Sequence, residues 1–191
     1  MTGRTGLVTL LAFGIALGAC AKKPVPETPA PTTAPTTSPA TRDTAAENAR
    51  ARAEAEERAR AAAEAAAAEV RSTLAEMVFF DYDRAEIRFD AQDVLNRKAV
   101  ALRANPNVAL RIDGHADERG TVEYNLALSL RRANTVREYL TNFGIEVARL
   151  DVAGYGEEQP LDSGSNEDAW SRNRRAEFQI TRGGDNLVPA R

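Results

Sequence analysis

The sequence predicts an α+β fold: a βαβαββ domain with a mixed sheet and helices on one face, preceded by a long Ala/Glu/Arg helix and a disordered linker. Three observations carry this. Across residues 78–181, short alternating apolar runs take turns with longer runs at helical spacing, so helices bridge successive strands. Residues 42–77 hold neither Gly nor Pro and are mostly Ala, Glu and Arg, the composition of a stable helix. Residues 22–41 are mostly Pro, Thr, Ala and Lys, which bury too little apolar surface to offset the entropy of ordering.

In chain order, residues 1–19 read as a signal peptide. Arg4 supplies the positive start, residues 7–17 form an apolar run too short to span a bilayer, and Gly18 and Ala19 close it. Cys20, the only cysteine, follows directly. The run LGAC resembles the bacterial lipoprotein signal, in which the cysteine is lipidated and becomes the new N-terminus; an ordinary signal peptide with an incidental thiol is the alternative. Ala21 stands where Asp would suggest inner-membrane retention in some bacteria, which points to the inner leaflet of the outer membrane, facing the periplasm. Residues 20–41 then form the lipidated, proline-stiffened spacer.

Residues 42–77 predict an extended helix roughly 50 Å long at 1.5 Å per residue. Arg50/Glu54, Arg52/Glu56, Glu54/Arg58 and Glu56/Arg60 lie four apart and support it. Its alanine-faced middle lacks the large residues of a coiled-coil seam, so a solvated single helix is expected, docked only through Val70, Leu74 and Met77.

Within the domain, residues 77–80 (MVFF) predict a strand ending in DYDRAE. A helix over 90–104 places Val94, Leu95, Ala99 and Leu102 on one side and stops at Pro106. Residues 108–112 predict a strand leading into GHADERG. A helix over 123–143 has Leu126, Leu130, Val136 and Leu140 among its expected core positions and Gly144 as its cap. Strands over 150–153 and 176–180 complete the domain, with Trp170 and Phe178 expected in the core, Tyr155 a packed loop aromatic and Arg175 a solvated strand residue. Residues 182–191 are expected to be a disordered tail.

Composition excludes several functions. Lys plus Arg number 25 against 28 Asp plus Glu, so the chain is acidic and suits no nucleic acid. A single His rules out a multi-histidine metal site, and His115 beside Asp117 and Glu118 makes a poor metal-hydrolase centre. No Ser lies in a GxSxG elbow. No enzyme activity, cofactor or metal is expected. The stretch GHADERGTVEYNLALSLRRA instead sets Asp117, Glu118 and Arg119 in a turn between a strand end and a helix bearing Arg131 and Arg132. Both charge signs in one small concave site suit a zwitterion. Asp117 and Arg132 paired with each other as a structural ion pair is the alternative, and Asp83 and Asn125 could be turn or capping residues.

FFDYDRAEI, GHADERGTVEYNLALSLRRANTVREYL, GYGEEQP and WSRNRRAEF, in this order, resemble the OmpA-like peptidoglycan-binding domain family. The resemblance covers the C-terminal half; the spacer and Ala/Glu/Arg helix are long for its lipoproteins. It implies binding of the diaminopimelate in the peptidoglycan stem peptide, with Asp117 taking the ammonium and Arg132 gripping the carboxylate by two parallel bonds. It further implies Tyr82 and Asp83 on the opposite wall, Asn125 and Leu128 on the helix side and Arg174 from the C-terminal side. A TolB-like periplasmic partner in a Tol-Pal-type system for envelope integrity and cell division is also implied. An OmpA-like structural lipoprotein that binds the wall without Tol partners is the alternative.

Overall fold

A computed structural model describes residues 39–190, with side chains from Thr44 onward. The signal segment, Cys20 and most of the spacer lie outside the described residues. The elements are α1 (Pro39–Ala75), β1 (Val78–Phe79), α2 (Phe89–Ala104), β2 (Ala109–Gly114), α3 (Val122–Asn142), a 3-10 turn (Val147–Arg149), β3 (Leu150–Gly154), α4 (Glu167–Asn173) and β4 (Arg175–Arg182). The strands order β1-β4-β2-β3. β2 and β3 run parallel across the α3 crossover, while β4 pairs antiparallel with both β1 and β2.

This is the expected α+β architecture with three changes. α1 begins at Pro39, so the last residues assigned to the spacer are helical; Pro suits the first turn, where its missing N–H is not needed. α4 is an additional helix, started by Asn166, whose side chain accepts from the Ala169 N–H, with Glu167 and Asp168 in its first turn. The tail is not free of the domain either. Leu187 is buried in the core, and Asn105 bonds both the Val188 N–H (2.8 Å) and its carbonyl (2.9 Å).

The helix-facing side of the sheet is apolar. Leu110, Ile112, Ala176 and Phe178 meet Leu95 and Leu102 of α2 and Val136 and Leu140 of α3 in one core. The other side alternates out of phase, as a pleated strand requires. There Arg111 bonds Asp113 at 2.8 Å and Gln179 at 3.0 Å.

α1 is exposed along residues 44–65, consistent with a solvated helix, and Glu54 meets Arg58 at 3.0 Å. Val70 and Leu74 enter the core and Met77 is half-buried, so the expected docking stripe forms. Three polar ties secure the junction. Arg97 grips Glu76 with bonds of 2.7 and 2.8 Å, Arg71 donates to the Gly184 carbonyl, and the buried Lys98 amine donates to the carbonyls of Thr73 and Leu74.

α3 departs from a simple amphipathic helix. Leu126 and Leu130, expected in the core, are exposed, while Asn125, Ser129 and Arg132 are buried beside Leu128 and Ala133. Two glycines explain the rotation. A Cβ on Gly114 would stand 2.0 Å from the Ser129 carbonyl oxygen, and one on Gly154 would stand 2.9 Å from the Leu130 nitrogen. Because both positions are glycine, the backbone of α3 rests directly on the ends of β2 and β3. Its polar residues, rather than its leucines, then reach over the strand ends. That places the site.

Candidate functional site

The strand ends, the turn after β2 and the N-terminal half of α3 enclose a cavity of about 110 Å³. Tyr82, Asp83, Asp117, Arg119, Gly120, Tyr124, Asn125, Leu128 and Arg132 line it. Six of the seven residues chosen from sequence share this wall. The seventh, Arg174, stands behind it and reaches Asp117 at 3.3 Å.

Asp117 does not pair with Arg132. Its carboxylate holds Arg119 instead: Oδ1 accepts from the Arg119 backbone N–H and Nε, each at 3.1 Å, and Oδ2 accepts from Nη2 at 2.7 Å. Burial works to raise the carboxyl's pKa, but the hydrogen bonds and charge of Arg119 and the hydrogen bond from Arg174 outweigh it and hold the group below the usual carboxylate range. Asp117 is therefore ionised throughout the neutral range.

Arg132 is fully buried. Nε donates to the Arg84 carbonyl at 2.8 Å, Nη1 to that of His115 at 2.8 Å and Nη2 to that of Asp81 at 3.1 Å. Among the described residues no carboxylate lies within 4.0 Å of it. Burial pushes its pKa down to about 10, opposed by the fields of Asp117 and Asp83, and it still carries its charge at neutral pH. A guanidinium has five N–H groups, so two remain for a ligand. The result is a preorganised cation whose own chain supplies dipoles but no counter-ion.

The other walls are tied in turn. Asn125 is not a cap: Thr121 caps α3, and the Asn125 amide bonds the carbonyls of Asp117 (3.0 Å) and Arg119 (3.1 Å) and the Glu157 carboxylate (2.5 Å), which pins the turn. Asp83 is the one described non-glycine residue with positive φ, +54°, a conformation Asp tolerates better than most and one often held at working sites. Its carboxylate accepts from the Tyr124 hydroxyl.

Sequence reasoning missed the role of α4. Trp170, expected in the core, is only half-buried; its indole donates to Glu118 at 3.0 Å and its ring faces the Arg119 guanidinium at 4.1 Å. Tyr82 faces the same guanidinium at 4.0 Å, so Arg119 lies against two aromatic faces. Arg175, expected in solvent, is buried because the loop before α4 folds over it; it bonds Glu177 at 2.7 Å and the Gln159 carbonyl at 3.2 Å. Tyr155 packs as expected, stacked on His115 with centroids 5.4 Å apart.

Fold and cavity together define an α+β domain with a charged, ligand-sized recess at its strand ends. The OmpA family matches residues 79–174, half of the chain, and the chain belongs to that family. Over 103 residues it is 46% identical to the peptidoglycan-associated lipoprotein of Agrobacterium fabrum, covering 54% of this chain and 58% of that protein. It is 47% identical to the peptidoglycan-associated lipoprotein of Rhizobium meliloti over the same length and with the same coverage. The matched part thus spans less than two thirds of these relatives. Among solved structures, the peptidoglycan-associated lipoprotein from Burkholderia pseudomallei aligns with a TM-score of 0.54 at 38% identity, covering 55% of this chain and 88% of that one.

Proposed function

We propose that the chain is a non-enzymatic lipoprotein that binds peptidoglycan through the diaminopimelate of the stem peptide. The observation that carries this reading is Arg132, a buried guanidinium bordering a cavity, bonded to three carbonyls and to no carboxylate. The distal centre of diaminopimelate bears a carboxylate that suits its two remaining N–H groups, and an ammonium that suits Asp117. Tyr82, Asp83, Asn125 and Leu128 shape the recess, and Arg174 holds Asp117 from behind. The family membership and the names of the relatives support wall binding.

In this reading residues 1–19 are a signal peptide, Cys20 is lipidated, residues 20–38 are the spacer, 39–75 a rod and 78–188 the wall-binding domain. The protein sits in the inner leaflet of the outer membrane, faces the periplasm and tethers that membrane to the wall. A TolB-like protein is its partner in envelope integrity and cell division.

Lysine and diaminopimelate differ by the distal carboxylate, so two kinds of wall separate the chemistry without altering the protein. Cosedimentation of the full chain with diaminopimelate-type sacculi should exceed that with lysine-type sacculi by more than tenfold, since two charge-assisted bonds at about 1.5–3 kcal/mol each are at stake. Arg132→Ala should bring both to the same low level. Equal binding of wild type to both walls sinks the assignment. Failure of Cys20→Ala to release the chain from membranes, with no palmitate incorporation in wild type, sinks the anchor.

A further inference from the structure

The Asp117 carboxylate is full. A carboxylate offers about four acceptor positions. Here the Arg119 backbone N–H, Arg119 Nε, Arg119 Nη2 and Arg174 Nη1 take them, at 3.1, 3.1, 2.7 and 3.3 Å. An incoming ammonium finds no vacancy until one of the two arginines moves.

The two differ in freedom. The Arg174 side chain is 7% exposed and is also held by Glu167 at 2.7 Å and the Phe80 carbonyl at 3.2 Å. The Arg119 side chain is 28% exposed, and its remaining neighbours tolerate sliding: the flat faces of Tyr82 and Trp170, and the Glu167 carboxylate 3.6 Å from Nη1. A second resting place therefore already exists beside the first.

We propose that Arg119 is a displaceable stand-in for the ligand's ammonium: on binding, the ammonium takes its place on Asp117, and Arg119 slides onto Glu167 between the two aromatic rings. This rests on the diaminopimelate reading above and adds a specificity device to it. One cation replaces another at Asp117, so the buried charge there is unchanged. The exchange screens ligands, because a neutral group cannot displace a guanidinium held by two charge-assisted bonds. It also sets affinity, since the ligand must outcompete a group tethered to the same turn.

Calorimetric titration of the full chain with a diaminopimelate-containing stem peptide tests this. Arg119→Ala should bind about tenfold more tightly than wild type. Glu167→Gln should weaken binding several-fold more in wild type than in the Arg119→Ala background, because the bond to Arg174 is common to both and only a displaced Arg119 draws on the second carboxylate oxygen. The Arg119 Nε–H resonance should shift as the peptide saturates wild type. Weaker binding by Arg119→Ala overturns the proposal, as does an Nε–H signal unmoved at saturation or an equal Glu167→Gln effect in both backgrounds. Absence of binding by wild type and Arg119→Ala alike removes the diaminopimelate reading and the exchange with it; binding by wild type with any of the three contrary results removes the exchange alone.

Discussion

Lys98 offers a direct test of how the N-terminal helix is held. The side chain sits on the apolar face of α2, fully buried, with Nζ 2.9 Å from the Thr73 carbonyl oxygen and 2.8 Å from that of Leu74. Its remaining side faces the Phe178 ring, 3.8 Å from the centroid. Burial pushes its pKa from 10.5 down to about 7, against the opposing field of Glu76. A neutral amine has two N–H groups, which match the two carbonyls it meets. Between the two pKa values the unfolded chain holds one more proton than the folded one, so stability rises with pH across that window. The penalty for burying the charge is fully present below about pH 7 and gone above 10.5. At about 1.4 kcal/mol per pH unit, the window is worth at most about 5 kcal/mol. Lys98→Met abolishes this titration while leaving the two carbonyls without a donor. Urea unfolding at constant ionic strength, followed by the emission of Trp170, should show wild type gaining about 4 kcal/mol on the variant between pH 7 and pH 10. Parallel stability profiles for the two proteins would refute the buried-amine account.

Two further substitutions probe the sheet end. Both ring nitrogens of His115 are buried without a hydrogen-bond partner, and burial, aided by Arg175, pushes its pKa from 6.5 to about 4 against the fields of Glu177 and Asp113. The folded state resists protonation, so stability is lost as pH falls from 6.5 towards 4. His115→Phe keeps the stack on Tyr155 and should flatten that acid limb by on the order of 2 kcal/mol, read by thermal unfolding at pH 4 and pH 7; an unchanged limb counts against it. Gly114→Ala would drive a Cβ to 2.0 Å from the Ser129 carbonyl oxygen, and should lower stability by about 3 kcal/mol in chemical denaturation. Wild-type stability in that variant would mean α3 does not rest on the strand end.

Strands and helices with a strong period were legible because burial imposes that period. Leu95, Leu102, Val136 and Leu140 are core residues as their spacing requires. The same logic misassigned Leu126 and Leu130, because a glycine pair at the strand ends lets the helix backbone approach closely and turns polar residues inward. That conflict between pattern and packing falls at the cavity, where function tends to override local preference. α4 was signalled only by Asn166 followed by Glu167 and Asp168, too short a run to show a period. Arg119 could not be read as Asp117's partner with any security. Its placement depends on Tyr82, Glu167 and Trp170, which lie on other elements.

Buried basic side chains recur in this domain, and comparing them separates structure from site. Lys98 bonds carbonyls at the end of α1. Arg149 bonds those of Leu102, Asn105 and Val108 where α2 ends, at 2.7 to 2.9 Å. Each supplies donors to carbonyls at or just past the end of a helix, and Arg149 adds a positive charge at the negative pole of α2. Arg132 also bonds three carbonyls, but Asp81, Arg84 and His115 belong to the turn after β1 and the end of β2, where no helix dipole compensates the charge. Lys98 and Arg149 are absent from the walls of the recess; Arg132 forms part of them. Carbonyl partners alone therefore do not mark a ligand site. What marks it here is a buried guanidinium at the edge of a cavity, bonded to no helix-end carbonyl and with N–H groups to spare, beside a carboxylate already occupied by another arginine.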